Sequence, residues 1–154
     1  MFGHRAILLA FIALPANATT FIEVNGVSQH SVTTYSNSTT EQRDLNERNF
    51  GVGVGYEVSE TLSADVGFYE NSYYRQTWYV GVNLHKQWLP PQGRIAIGLS
   101  AGFATGYDNT PIEAKRLQPI AMPTFDLGGH QAFIRIGRIP VAKVTTIQLI
   151  LQIR

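Results

Sequence analysis

The chain has 154 residues, with twelve Lys and Arg against eleven Asp and Glu, four His, 14 Gly and no Cys. A charge balance this close to zero gives no argument for a nucleic acid or an acidic substrate as partner. The length suits a single domain, and the lack of cysteine is neutral, because an oxidising periplasm permits disulfides without demanding them.

The chain opens on a short basic stretch, Met1 to Arg5, followed by the apolar run Ala6 to Leu14 and the small-x-small site Ala16-Asn17-Ala18. This is the pattern of a secretory signal peptide over residues 1–18, with a mature domain over 19–154. The apolar run is half the roughly 20 residues that a spanning helix needs, and it ends at Pro15. Without Arg5 the mature chain carries eleven basic and eleven acidic residues. No later stretch is long and apolar, so any part that crosses a bilayer must be built from strands closed into a barrel.

Period-two alternation dominates from about Phe50 to the end, the mark of strands rather than helices. A first strand is predicted over about Phe21 to His30. The polar segment Tyr35 to Asp44, rich in Ser and Thr, then reads as a mobile extracellular loop. In the second strand Phe50, Val52, Val54 and Tyr56 alternate with Gly51, Gly53 and Gly55, and in the third Leu62, Ala64, Val66 and Phe68 alternate with Ser63, Asp65, Gly67 and Tyr69. Trp78 to His85 and Ile95 to Phe103 repeat the pattern, and Leu117 to Asp126, Gln131 to Gly137 and Val144 to Ile153 complete eight strands.

The connections near Ser59-Glu60, Pro90 to Gly93 and Leu127 to Gly129 are tight. Those over Ser31 to Glu47, Glu70 to Arg75 and Thr105 to Ala114 are longer, and Arg138 to Lys143 is intermediate. Short turns on one side and long loops on the other describe an all-β, eight-stranded, antiparallel up-and-down transmembrane barrel in an outer membrane. The competing reading is a soluble lipocalin-like barrel, which would put its apolar residues inside. Here the larger apolar face is aliphatic, with Trp78, Phe68 and Tyr56 near strand ends as in an aromatic girdle. The terminal Leu151-Gln152-Ile153-Arg154 departs from the aromatic residue that usually ends such a chain.

The inward positions are small: Gly51, Gly53, Gly55, Gly67, Gly81, Ala96, Gly98 and Gly102. Side chains normally fill an eight-stranded barrel, so this lining implies either relief for a tightly coiled wall or a slot for a slender apolar ligand. Pro119 and Pro123 fall in the sixth strand, where each removes a ladder donor, marking either a strand edge or a wall that opens sideways to lipid. Asp65 and Arg135 both face inward and are expected to pair.

One constellation is suited to chemistry. His30 ends the first strand and Asn71-Ser72 ends the third, so all three should reach the same rim. A serine hydroxyl becomes a nucleophile when a histidine takes its proton, and a third polar group commonly orients that base. Asn-Ser is also an ordinary turn dipeptide. Placing His30 on the inner face requires a bulge or a strand end before it, because Ile22 and Val24 share its parity. His85 and His130 lack companions at metal-ligand spacing.

Taken in order, these residues resemble the lipid A palmitoyltransferase (PagP) family. The resemblance runs from His30, with Tyr35 five positions later, through Asn46-Glu47-Arg48 and Ser72. It continues through Gly98 to Gly106, which reads GLSAGFATG and leads to Asp108-Asn109, and ends on Pro119-x-x-x-Pro123 and Ile139-Pro140. It implies an outer-membrane barrel, expected as a monomer, that moves a palmitoyl-like acyl chain from a phospholipid donor to a lipid A acceptor without metal or cofactor.

By the resemblance His30 and Ser72 are catalytic and Asn71 stands where the family has an aspartate. Gly81, Asn83 and Gly98 line the acyl slot, with Asn83 replacing the glycine of its floor, and Pro119 and Pro123 mark lateral lipid entry. The amphipathic N-terminal helix of the better-known members has no counterpart here. The alternative is a non-catalytic outer-membrane barrel serving surface structure, adhesion or apolar ligand binding.

Overall fold

A computed structural model describes residues 19–31, 34–36, 42–88, 90–91, 93–107 and 117–153. The segment read as a signal peptide and the Asp108-Asn109 pair lie outside these residues. Alternating side chains commit each segment to a strand with one apolar and one polar or small face. The barrel strands are β1 (Thr20–His30), β4 (Gly51–Ser59), β5 (Leu62–Glu70), β6 (Gln76–Trp88), β7 (Arg94–Ala104), β8 (Gln118–Gly128), β9 (Ala132–Ile139) and β10 (Val144–Ile153). Each pairs antiparallel with its neighbour in the chain, and β1 closes the ring by pairing with both β10 and β4. The described residues contain no helix.

The segment read as a loop contains a second, small sheet. β2 (Thr34–Ser36) and β3 (Gln42–Asp44) pair with Thr34 opposite Asp44 and Ser36 opposite Gln42. Part of this polar stretch is therefore paired as a two-stranded sheet rather than left as open loop.

The outer surface of the barrel is apolar. Val52, Val54, Val66, Val80, Val82, Leu84, Ile97, Leu99 and Ile134 are all exposed, while the alternate positions on the same strands face inward. Trp78 and Trp88 stand outward near opposite ends of β6. Ten residues of strand rise about 33 Å, and a tilt of about 40° reduces that to about 25 Å, the height of the apolar band on an outer-membrane barrel.

Of the two ways to turn His30 inward, a bulge or a strand end, the structure has the bulge. β1 pairs with β10 in simple register up to Asn25 opposite Gln148, then resumes at Val27 opposite Ile147, so Gly26 is the extra residue. Below it Phe21, Glu23 and Asn25 face inward; above it Ser28 and His30 do. One inserted residue flips the parity of everything beyond it.

The inner face is plugged at the tight-turn end by charge as well as by carbon. Phe21, Phe133 and Ile150 form a small buried cluster, and the Arg94 guanidinium lies 4.3 Å from the centre of the Phe133 ring. Arg94 reaches Glu57 at 3.3 Å and Asp126 at 3.4 Å. Asp126 receives two bonds from Arg135, at 2.8 and 3.0 Å, and Glu23 lies 3.8 Å from Arg135 and accepts from Tyr79 at 2.6 Å. Such charges are tolerated inside because each meets an opposite partner.

The expected Asp65–Arg135 pair is an attraction at longer range rather than a direct ion pair. Arg135 is paired with Asp126 because the two are direct cross-strand neighbours of β9 and β8. Asp65 instead accepts from Asn83 Nδ2 at 2.5 Å on the adjacent β6.

Candidate active site

The inward side chains leave a cavity of about 840 Å³ in the half of the barrel nearest the long loops. His30, Ser72 and Tyr107 stand at its mouth, Gly81, Gly102, Ile120 and Met122 on its walls, and Glu23, Asp65, Asn83 and Arg135 at its base. Asn83 accepts a hydrogen bond from Ser100 while donating to Asp65, so the base is a layer of satisfied polar groups.

Glycine does two different jobs on this inner face. A Cβ at Gly53 would lie 2.2 Å from the Tyr79 hydroxyl, and one at Gly55 would lie 2.3 Å from the Phe21 ring. A Cβ at Gly51 would meet the Tyr69 Cβ at 2.5 Å. Gly53 and Gly55 are therefore covered by aromatic side chains leaning across the wall, and Gly51 is closed off by the neighbouring backbone of β5, where a Cβ would lie 2.0 Å from the Phe68 carbonyl oxygen. The open volume lies against Gly81 and Gly102. Gly98, expected in the slot, does not line it. It sits below the base, where a Cβ would meet the Leu84 carbonyl at 2.7 Å and the Thr124 hydroxyl at 2.9 Å.

At the mouth, His30 Nε2 and Ser72 Oγ are 2.7 Å apart. The contact joins the end of β1 to the β5–β6 turn, 42 residues later in the chain. The 5% exposed His30 side chain faces the cavity. A serine hydroxyl and an imidazole within hydrogen-bond reach are the arrangement in which a histidine can take a serine proton.

Asn71, expected as the third member, is engaged elsewhere. It is fully buried, and its amide oxygen accepts from the backbone N–H of Tyr73 at 2.9 Å and of Arg75 at 3.1 Å. Its nitrogen donates to Thr77 Oγ1 at 3.0 Å and to the Gly106 carbonyl at 2.9 Å. Asn71 thus builds the turn that presents Ser72, and its hydrogen bonds do not include the imidazole. The turn carries Tyr74 at φ 58°, and the receiving Gly106 sits at φ 79°. A Cβ there would meet the Gln76 carbonyl at 2.6 Å, so glycine is required on both counts.

An aspartate at 71 would turn the donating nitrogen into a second acceptor facing the Gly106 carbonyl. Asn71→Asp is therefore expected to destabilise the turn by roughly 1–3 kcal/mol and to slow Ser72 reactivity rather than enhance it. Thermal unfolding together with the rate of Ser72 modification by an alkyl fluorophosphonate checks this.

The residue that does approach the imidazole is Glu47. Its Oε1 accepts from the His30 backbone N–H at 3.1 Å and lies 3.7 Å from Nδ1. The sequence marked Glu47 only as part of Asn46-Glu47-Arg48, because nothing local reveals a contact between residues 17 apart. A set of phenols was also missed. Tyr69 and Tyr107 share a hydrogen bond at 2.9 Å, the Tyr73 ring meets Tyr107 edge-on, and Tyr69 packs on Tyr79. Burial pushes the Tyr107 hydroxyl above the usual phenol range, so it stays protonated at the mouth.

Pro119 and Pro123 are exposed on the outer face of β8. On the β7 side the ladder continues through both, opposite Phe103 and Leu99. On the β9 side pairing covers only Thr124 to Gly128, so Gln118 to Pro123 have no β9 partner. The wall between β8 and β9 is therefore unzipped beside the cavity, where a missing proline donor costs no ladder bond.

Comparison with protein-family models and with curated proteins finds no match for this chain.

Proposed function

We propose that this protein is an outer-membrane acyltransferase that moves a fatty acyl chain from a phospholipid to lipid A. The observation that carries the reading is the 2.7 Å contact between His30 Nε2 and Ser72 Oγ at the mouth of a cavity of about 840 Å³. The exposed aliphatic face supports a lipid setting, since a soluble barrel would turn that face inward. The unpaired stretch of β8 supports entry of the donor from the side.

In the reaction proposed, His30 Nε2 takes the Ser72 proton as Oγ attacks the ester carbonyl of the phospholipid. Collapse of the tetrahedral adduct breaks the ester bond, and the imidazolium returns the proton to the departing lysophospholipid alkoxide. His30 then deprotonates a lipid A hydroxyl, which attacks acyl-Ser72 and releases the new ester with free serine. Atoms balance without metal or redox partner.

The acyl tail occupies the cavity and stops at the polar base. From Thr77, buried near the mouth, to Asn83 the strand rises about 20 Å, or roughly 15 Å of depth at ordinary tilt. Asn83→Gly removes part of that base and is expected to admit a longer chain. Mass spectrometry of the lipid product checks this as a shift of added mass to higher values; an unchanged mass would place the limit elsewhere.

The enzyme reading itself is tested with purified protein in mixed phospholipid–detergent micelles. Ser72-dependent release of lysophospholipid is the expected result. Folded protein that releases none would leave a non-catalytic barrel.

A further inference from the structure

In the site as it stands, His30 has one ring nitrogen on Ser72 and the other unaccounted for. Nδ1 is buried and, among the described residues, has no hydrogen-bond partner. A buried polar atom without a partner is costly, and in a nucleophile–base pair this is the atom that the third group normally holds. Asn71 cannot reach it without giving up the turn.

We propose that the Glu47 carboxylate is the positioning group for His30, holding the proton on Nδ1 so that Nε2 faces Ser72 as the base. This rests on the acyltransferase reading of the same site. Glu47 Oε1 is 3.7 Å from Nδ1, inside ion-pair range though longer than a hydrogen bond. Catalytic hydrogen bonds are often long before substrate binds, and the Glu47 side chain is 46% exposed, so its carboxylate has room to turn.

The surrounding backbone is built to keep the carboxylate there. The Glu47 carbonyl accepts from Ser28 N–H at 2.8 Å, tying it to the upper part of β1, and Asn46 N–H donates to the Ser72 carbonyl at 2.9 Å. Two consecutive residues thus clip the strand of the base to the turn of the nucleophile. The Asn46 side chain reinforces the clip, donating to Glu70 Oε1 at 2.9 Å and to the Asn71 carbonyl at 3.3 Å. Nearby, the Arg138 guanidinium donates to Thr145 Oγ1 and Ser31 Oγ and leaves Nδ1 to Glu47.

The experiment compares the full chain with Glu47→Ala and Glu47→Gln in detergent micelles. Two readouts are taken: the His30 tautomer from imidazole nitrogen resonances, and the rate at which an alkyl fluorophosphonate labels Ser72. Wild type is expected to hold the Nδ1–H tautomer. Glu47→Ala should lose it and slow labelling by roughly tenfold or more. Glu47→Gln keeps an amide oxygen that accepts from Nδ1–H and from the His30 backbone N–H, so it should retain the tautomer and recover part of the rate; loss of the Nδ1–H tautomer in Glu47→Ala is the readout that a merely structural contact with the backbone would not move.

An unchanged tautomer and rate in Glu47→Ala would overturn the assignment. If the tautomer depends on Glu47 while Ser72 is inert even in wild type, the positioning contact stands and the acyltransferase reading fails.

Discussion

His30→Ala and Ser72→Ala are each expected to abolish acyl transfer, lowering the rate by at least about a thousandfold, while the barrel remains folded. The size follows from the chemistry. Without Oγ no acyl-enzyme forms, and without the imidazole the hydroxyl keeps its proton at neutral pH. The double variant should be no worse than either single one, because the two groups act as a unit. Both side chains stand at the cavity mouth, away from the charged plug near the tight turns, so folding should not depend on them. Steady-state release of lysophospholipid, with the heat-dependent gel shift of the folded barrel as control, checks both halves of the prediction.

Arg135→Met is expected to be the most damaging single change to stability, costing about 3–5 kcal/mol. Its guanidinium, 4% exposed, makes two bonds to Asp126 and lies 3.8 Å from Glu23. Removing it leaves buried carboxylates facing one another. Removing the pair together, as Arg135→Met with Asp126→Leu, should recover much of the loss, since a buried ion pair is often no better than an apolar pair of similar volume. Arg94 would then lose one of its two acidic partners, so recovery should be incomplete. Denaturant-induced unfolding of the single and double variants measures the difference. Equal destabilisation by both would mean that the plug contributes by shape rather than by charge pairing.

The strands were legible because each keeps a period-two pattern with its apolar set on one side. An irregularity before His30 was legible, since it could face inward only past a bulge or a strand end, but its place at Gly26 is a fact of register. That His30 and Ser72 share a rim followed from placing both at the ends of strands that point the same way; their 2.7 Å contact is given by the structure. What could not be read were facts of register and of reach. Asp65 and Arg135 both face inward, but only the cross-strand register reveals that Asp126 stands directly opposite Arg135.

Glycines mark where a side chain is missing without telling what leans over the space. Gly53 and Gly55 are covered by Tyr79 and Phe21 and Gly51 abuts the β5 backbone, whereas Gly81 and Gly102 border the cavity. Gly98 belonged to the same pattern and falls below the base. The prolines pointed to a weakened wall, and the pairing of β8 identifies the β9 side as the unpaired one. Asn71 looked like the group that orients the base because it precedes the serine. Adjacency in sequence placed it in the turn's own hydrogen bonds, while Glu47 arrives from a separate segment.

The most direct test of the acyltransferase account is the mass spectrum of lipid A from cells that make an unmodified form and express either this chain or its Ser72→Ala variant. The account predicts one added acyl mass with the wild-type chain and none with the variant. Unmodified lipid A in both, with the protein folded in the outer membrane, would contradict it.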